Sequence, residues 1–503
     1  MSARPIEHVV IVGGGTAGWM TAASLIQRLA PRRCQVTLIE SSEIGTIGVG
    51  EATVPAIRAY FQSLGLDVAD LMAKTNATFK LGIEFKDWRH DGHRFFHPFA
   101  RYGIQAGPVD FHQLHRKLAE AGEDHPLDAY CLGTEMAYAG RFAPADPEPR
   151  ADFQVYDWAV HFDASLFARY LRGLAEASGV QRIDARITEV RQNPESGFVT
   201  GVVLDNGAEV AGDLFVDCSG FRSLLLQKTL GVGFRDWSHW LPCDRAVALP
   251  CQHKDANDLA PVTRSTAQKA GWTWRIPLQH RIGNGYVYSS AHISDDEAEA
   301  TLRGQLDGEA LAGPNLVRFK AGHTERFWEK NVVAIGLSSG FLEPLGSTSI
   351  TLIQAGISKL LNLFPDMAFD PATAAEYNRL AVIEFERIRD FIILHYWANG
   401  RDGELWRQCR ETPLPDTLLA KIEAYKARGA FVRYDGESFF DPSWLCMYDG
   451  FGIVPRAYDP FADSFALDDL KALAANIRAD VKAMAQDASS HADYIRQYCP
   501  AAV

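Results

Sequence analysis

The stretch from His8 to Glu40 leaves this chain the fewest options. HVVIV is a short β-branched apolar run, as suits a central parallel strand covered on both faces. GGGTAGW follows as a turn, and the next residues have helical spacing, with Met20, Leu25 and Leu29 able to share a face. CQVTLIE then reads as a second strand, which completes a β-α-β unit. Gly13-x-Gly15-x-x-Gly18, with Thr16 and Ala17 inside it, thus follows a strand and opens a helix. Gly13 allows the tight turn, Gly15 lets the backbone approach a pyrophosphate, and Gly18 lets helix and strand pack closely. The helix N-terminus offers free N–H groups and a positive dipole to phosphates. Glu40 ends the second strand, 22 positions after Gly18, where a carboxylate accepts hydrogen bonds from an adenosine ribose. The unit is therefore expected to bind a dinucleotide, but by itself it does not separate FAD from NAD.

With 503 residues the chain can bury a sizeable core, and 22% charged against 47% hydrophobic residues is the balance of a globular protein. Its net charge of -13 argues against nucleic acid as a partner. No export signal and no membrane-length apolar run is read, and the eight cysteines are scattered, with no CxxC pair and no metal-ligand spacing. These features fit a soluble cytoplasmic enzyme with reduced thiols and no metal. Helices are expected at 110–121, 163–177, 371–396, 415–427 and 466–497. A loop is expected at 142–152, a hairpin-like turn at Asn206-Gly207, and a β-rich layer over 243–330.

Further segments then recur in order: GVGEAT (48–53), FKLGIEF (79–85), DCSGFRSLL (217–225), WTWRIP (272–277), FLEPLGSTSI (341–350) and FERIRDFIILHY (385–396). With GGGTAGW, this ordered set resembles the tryptophan-type flavin-dependent halogenases. The resemblance implies an α/β fold with α+β elaboration: a Rossmann-type FAD module of the flavin monooxygenase kind with a largely helical C-terminal substrate region. Residues 1–350 would form the FAD and halide module, with an inserted β-rich layer at about 85–160 and 235–325. Residues 351–503 would be mainly helical.

The resemblance also implies roles. Gly48, Val49, Gly50, Glu51 and Ala52 would form a strap beside the flavin ring, and Gly336 and Leu337 would return the chain to the cofactor. Many flavin hydroxylases carry a Gly-Asp pair at that return, so Gly336-Leu337 tilts the reading toward halogenation. Reduced FAD, delivered by a separate NAD(P)H-dependent flavin reductase, would give hypohalous acid with oxygen and a chloride or bromide ion. Lys80 would relay that oxidant to an aromatic substrate, since an amine can both hydrogen-bond and capture it. Trp272 and Trp274 would wall the flavin from the substrate, and His97, Phe99 and Trp444 would lie on the substrate or tunnel side. Ser347, Thr348 and Ser349 would bind the halide through N–H groups and a hydroxyl. The family glutamate before that serine is Gly346 here, and Glu343 matches a different family position.

The lid that holds free tryptophan in some family members is not matched well by residues 436–455, which points to indole or another indole-type substrate. Two other readings stay open: a flavin hydroxylase, and a flavin-binding homologue whose catalysis is impaired by Gly346. The oligomeric state is also open, a homodimer included.

Overall fold

A computed structural model describes residues 4–29, 34–43, 50–123, 125–255 and 257–501. Gly48 and Val49 lie outside the described residues. Strands His8–Val12 and Gln35–Glu40 pair in parallel, with Ile11 beside Leu38, and helix Thr16–Leu29 joins them. They sit in a six-stranded sheet ordered Trp328–Glu329, Val332–Ala334, Leu214–Asp217, His8–Val12, Gln35–Glu40, Gln181–Asp184. All neighbours are parallel except the first pair.

Two glycines of the turn are required by space. Gly13 has φ +111°, and a Cβ there would stand 2.2 Å from the Cys218 carbonyl oxygen. A Cβ on Gly18 would stand 1.8 Å from the Gly13 carbonyl oxygen, so any side chain forces the helix off the strand. The DCSGFRSLL segment is knotted in beneath the turn by Asp217. This buried carboxylate accepts from the N–H and O–H of Ser219 and from the N–H groups of Leu225 and Leu226. Ser223 donates to the Ser338 carbonyl (2.8 Å) and Ser338 donates to the Asp217 carbonyl, which ties the returning segment to the same place.

A second sheet has seven strands, ordered Asn315–Arg318, Arg245–Ala248, Ile282–Tyr288, Gly271–Pro277, Val262–Gln268, Gly82–Lys86, Arg94–Pro98. The inserted region therefore contributes to this sheet only as far as Pro98. Residues 99–158 instead carry helices Phe111–Glu120 and Leu132–Tyr138, because FHQLHRKLAE has a helical rather than an alternating apolar period. A small third sheet places Ala159–Asp163 between Gly50–Ala52 and Thr78–Lys80. Glu51 thus pairs with Phe162 and Lys80 with Ala159, which fixes strap and lysine on one three-strand unit.

From Ser349 the chain is mostly helical. Helices Pro371–Trp397 and Asp416–Arg428 fall on the expected spans, and helix Ser349–Asn362 precedes them without a span of its own having been expected. The run at 466–497 is two helices, Leu467–Asp487 and His491–Tyr498, because Ser489–Ser490 turns extended to pair with Arg141–Phe142. All eight cysteines are buried free thiols, and no described helix is long and apolar enough to cross a membrane.

Replacing Gly18 with alanine should lower unfolding stability by about 1–3 kcal/mol, as overpacking does, and weaken FAD retention. Denaturant unfolding and flavin fluorescence measure the two; an unchanged midpoint with full flavin retention would show that the helix does not need this close approach.

Candidate active site

A cavity of about 520 Å³ runs from the glycine turn to the wall of the seven-stranded sheet. Gly13, Gly15, Thr16, Ala17 and Glu40 line one end, and Glu51, Gly336, Trp272, Trp274 and Ser347 lie further along it. Gly50, Ala52, Leu337 and Ser349 also line it, whereas Gly18 does not, in keeping with a packing role. The N–H groups of Gly14 and Gly15 have no acceptor among the described residues, and Gly14 is so close to Glu40 that a Cβ would meet Oε2 at 1.6 Å. Glu40 accepts from Arg182 Nε (2.5 Å) on Oε1 and from Trp19 Nε1 (3.4 Å) on Oε2. The return at Gly336, with φ +80°, packs onto Ala17 so tightly that a Cβ would lie 2.7 Å from the Ala17 methyl. Free N–H donors, a held carboxylate and a glycine-lined cradle fit the phosphates and ribose of a dinucleotide. Burial pushes the Glu51 carboxyl up to about 7.

The far wall follows from strand alternation: Trp272, Trp274 and Ile276 face the cavity, while Arg275 points to the opposite face. Gly285, paired with Trp274, leaves room for its indole; a Cβ there would stand 2.0 Å from the ring. Trp272 is held from behind. Its Nε1 donates to Glu343 Oε2 (2.7 Å), which also accepts from the Tyr396 hydroxyl (2.5 Å). Glu343 is fully buried, and burial pushes its pKa up to about 7 against the two hydrogen bonds that lower it. Neither Glu343 nor Tyr396 lines the cavity.

Lys80 lies on the other side of Ser347. Its fully buried Nζ donates to the Thr53 carbonyl (2.9 Å) and to Ser347 Oγ (2.7 Å) and stands 5.2 Å from the centre of the Phe99 ring. Burial holds its pKa well below the usual lysine value, and no carboxylate pairs with it among the described residues. Thr53 is fixed by its own bonds to Val160, so the Thr53 carbonyl is a rigid acceptor. Ser347 has φ +58°, a left-handed conformation that costs a non-glycine residue about 1–3 kcal/mol. That geometry turns its side chain to Lys80 while the residue still lines the cavity. Its own N–H is taken by the Pro344 carbonyl (3.0 Å), so the Ser347 N–H offered for a halide is already engaged. The N–H groups of Thr348 and Ser349, at the start of helix Ser349–Asn362, have no acceptor among the described residues. Thr348 Oγ1 is buried without a partner and does not line the cavity.

Beyond Lys80 is an aromatic cluster. His97 lies near Phe99, Phe391 and Phe439, with ring centres 5.7–6.1 Å apart. Its Nε2 is 2.9 Å from Ser443 Oγ. Burial, with His395 and Lys80 adding to it, pushes the His97 pKa down to about 3. Phe439 stacks on Phe391 at 3.8 Å, and a Cβ on Gly346 would stand 3.0 Å from its ring edge. A side chain at 346 would therefore press on the edge of the Phe439 ring. Trp444 packs edge-on to Phe391 (5.2 Å), with its Nε1 engaged by Glu437 and the Phe439 carbonyl. Phe440, next to Phe439 in the chain, is 70% exposed and stands apart from this cluster.

Comparison with known proteins places this geometry. The family model for tryptophan halogenase matches residues 8–467. The chain is 39% identical over 448 residues to the tryptophan 6-halogenase SttH of Streptomyces toxytricini, covering 85% of each chain. Among solved structures it is similar to BrvH, a flavin-dependent halogenase from Brevundimonas sp. BAL3, with TM-score 0.95 and 49% identity over 98% of this chain and 99% of that one. A flavin-dependent halogenase from Xanthomonas campestris matches with TM-score 0.95 and 44% identity, covering 99% and 100%. The chain belongs to the tryptophan halogenase family. It is an enzyme of the flavin-dependent halogenase class, with that family's Rossmann-type fold.

In this halogenase the sequence motifs converge from distant parts of the chain, since Lys80 meets Ser347 and Trp272 meets Glu343. Sequence reading missed Thr53, Ser443, Gly285, Tyr396 and the packing of Phe439 on Gly346. Thr53 lies inside the quoted GVGEAT segment, but its contribution is a backbone carbonyl, which no residue type signals.

Glu343 offers a test by pH. Its folded pKa of about 7 lies above the unfolded carboxylate value of about 4.3. The stability it contributes is complete below the unfolded value and is lost as pH rises toward the folded one. Glu343→Gln should therefore gain in melting temperature relative to the native protein between pH 5 and pH 8 on that ground. A difference that does not move with pH would mean that Glu343 is ionised throughout.

Proposed function

We propose that this halogenase binds reduced FAD along the cavity and a chloride or bromide ion at the start of helix Ser349–Asn362, and halogenates an indole-type aromatic substrate through Lys80. The observation that carries the reading is the Lys80–Ser347 hydrogen bond, because Ser347 lines the cofactor cavity while Lys80 faces Phe99 on the aromatic side. Gly13, Gly15, Thr16 and Ala17 would hold the phosphates and Glu40 the ribose. Gly50, Glu51 and Ala52, with Gly336 and Leu337, would border the ring system. When bound, reduced FAD supplies with oxygen and halide the hypohalous acid. The protein's part is to exclude water, present N–H donors of Thr348 and Ser349 with the Ser347 hydroxyl to the anion, and keep the oxidant at Lys80. Residues 1–350 would form the cofactor and halide module and 351–503 the helical substrate region, and a separate NAD(P)H-dependent reductase would supply the reduced flavin. Trp272 and Trp274 form the barrier that keeps an organic ring from the cofactor.

Burial lowers the Lys80 pKa, which favours the uncharged amine able to hold or capture the oxidant and so supports its role. A substrate without charged ends suits the aromatic side. Glu437, a carboxylate in the 436–455 segment, is engaged by Lys421 (2.5 Å), the Tyr434 N–H and Trp444 Nε1, and Asp441 pairs with Arg433. Both of these acids are already paired within the protein. The SttH relative is named for tryptophan, and the present chain is expected to prefer indole over free tryptophan.

Aerobic assay with FAD, a generic flavin reductase, NADH and bromide tests the reading by mass spectrometry. Native protein should yield brominated indole, and Lys80→Ala should abolish it while FAD binding stays. Full activity in Lys80→Ala, or product formed without halide, would contradict the reading, the latter in favour of a hydroxylase. A second expectation concerns Gly346. Gly346→Glu should not raise turnover on its own and should cost about 1–3 kcal/mol of stability, because its Cβ meets Phe439. A rise in turnover would show that Phe439 yields freely.

A further inference from the structure

Halogenation of an aromatic ring ends with loss of a ring proton, so the site needs a base beside the substrate. Among the described residues no carboxylate pairs with Lys80: its Nζ donates to a carbonyl and a hydroxyl, and Gly346 has no side chain. Glu343 is held behind Trp272, its Oε2 accepting from Trp272 and Tyr396. His97 is placed otherwise. It is 1% exposed, shares Phe99 as a neighbour with Lys80, and sits among Phe99, Phe391 and Phe439. Its Nε2 is held at 2.9 Å by Ser443, at the first turn of helix Asp441–Gly450, and its Nδ1 is buried with no partner. With the ring proton on Nε2 donated to Ser443, Nδ1 is a free acceptor; the reverse tautomer would bury an orphaned donor.

Resting on the halogenase reading above, we propose that His97 is the catalytic residue that accepts the ring proton through Nδ1. In this step a ring carbon bonds to the halogen of hypohalous acid held at Lys80, and the oxygen–halogen bond breaks with its electron pair on oxygen. The ring C–H pair returns to the ring and the proton passes to His97. His97 then gives that proton to the departing hydroxide, which leaves as water. Ring and hypohalous acid thus become aryl halide and water, and both side chains are restored. Burial, together with His395 and Lys80, keeps imidazolium unfavourable here, so the ring is neutral before the step and hands the proton on after it.

The test compares ordinary and ring-deuterated indole in the bromide assay. Native protein should brominate both at nearly the same rate. His97→Asn should retain FAD and lose turnover by about 10²-fold or more, with ordinary indole now clearly faster than the deuterated one. A purely packing role would lower the rate without that isotope effect, and such a result, or turnover within a few-fold of native, would overturn the proposal. If His97→Asn does not fold, Ser443→Ala frees the ring without removing it; a slower enzyme with a raised isotope effect supports the proposal, and an unchanged rate and isotope effect overturns it. Absence of brominated product from the native protein would instead sink the halogenase reading and this proposal with it.

Discussion

The site depends on one hydrogen bond, from buried Lys80 to Ser347. A lysine amine out of water without a carboxylate is held far from its preferred charged state, and only rigid acceptors make that placement tolerable. The chain supplies them by unusual means. Thr53 offers a carbonyl fixed on the strand Ala159–Asp163, and Ser347 offers a hydroxyl from a left-handed backbone position. A carboxylate placed against Lys80 would favour its charged form. The absence of one at 346 is thus compatible with amine chemistry, and it leaves proton removal to another group.

The two sides of Ser347 are built by different parts of the fold. The cavity side comes from the six-stranded sheet, whose close contacts at Gly13 and Gly18 bring the turn under the cofactor. The aromatic side is assembled from strand Arg94–Pro98 and two C-terminal helices, Pro371–Trp397 and Asp441–Gly450, which deliver His97, Phe391 and Ser443. Between them stand the indoles of the seven-stranded sheet, with Glu343 and Tyr396 bracing Trp272 from behind. The Trp272 wall and the Lys80–Ser347 contact are therefore held by separate sets of bonds.

Much of this was legible in the chain because the informative positions obey local rules. The Gly13 to Gly18 spacing between a strand and a helix demands close backbone approach, and the structure has it. Family resemblance pointed to Lys80 and to the 347–349 segment, which lie 267 residues apart at their hydrogen bond. What escaped were properties that reside in packing. That Phe439 rather than Phe440 turns inward depends on which face meets Phe391. That Ser347 spends its N–H on Pro344 depends on backbone geometry. At Gly346 the residue type signalled a missing acid, and the structure adds that a Cβ there would stand 3.0 Å from the Phe439 ring edge.

The central claim, that halide and lysine lie on opposite sides of Ser347, can be tested by anomalous scattering from a bromide-soaked crystal of the FAD-loaded protein. A peak should lie on the cavity side, within hydrogen-bond reach of the Thr348 and Ser349 N–H groups and the Ser347 hydroxyl, with Lys80 still bonded to Ser347. Bromide bound directly to Lys80, or no bromide at the start of helix Ser349–Asn362, would contradict it.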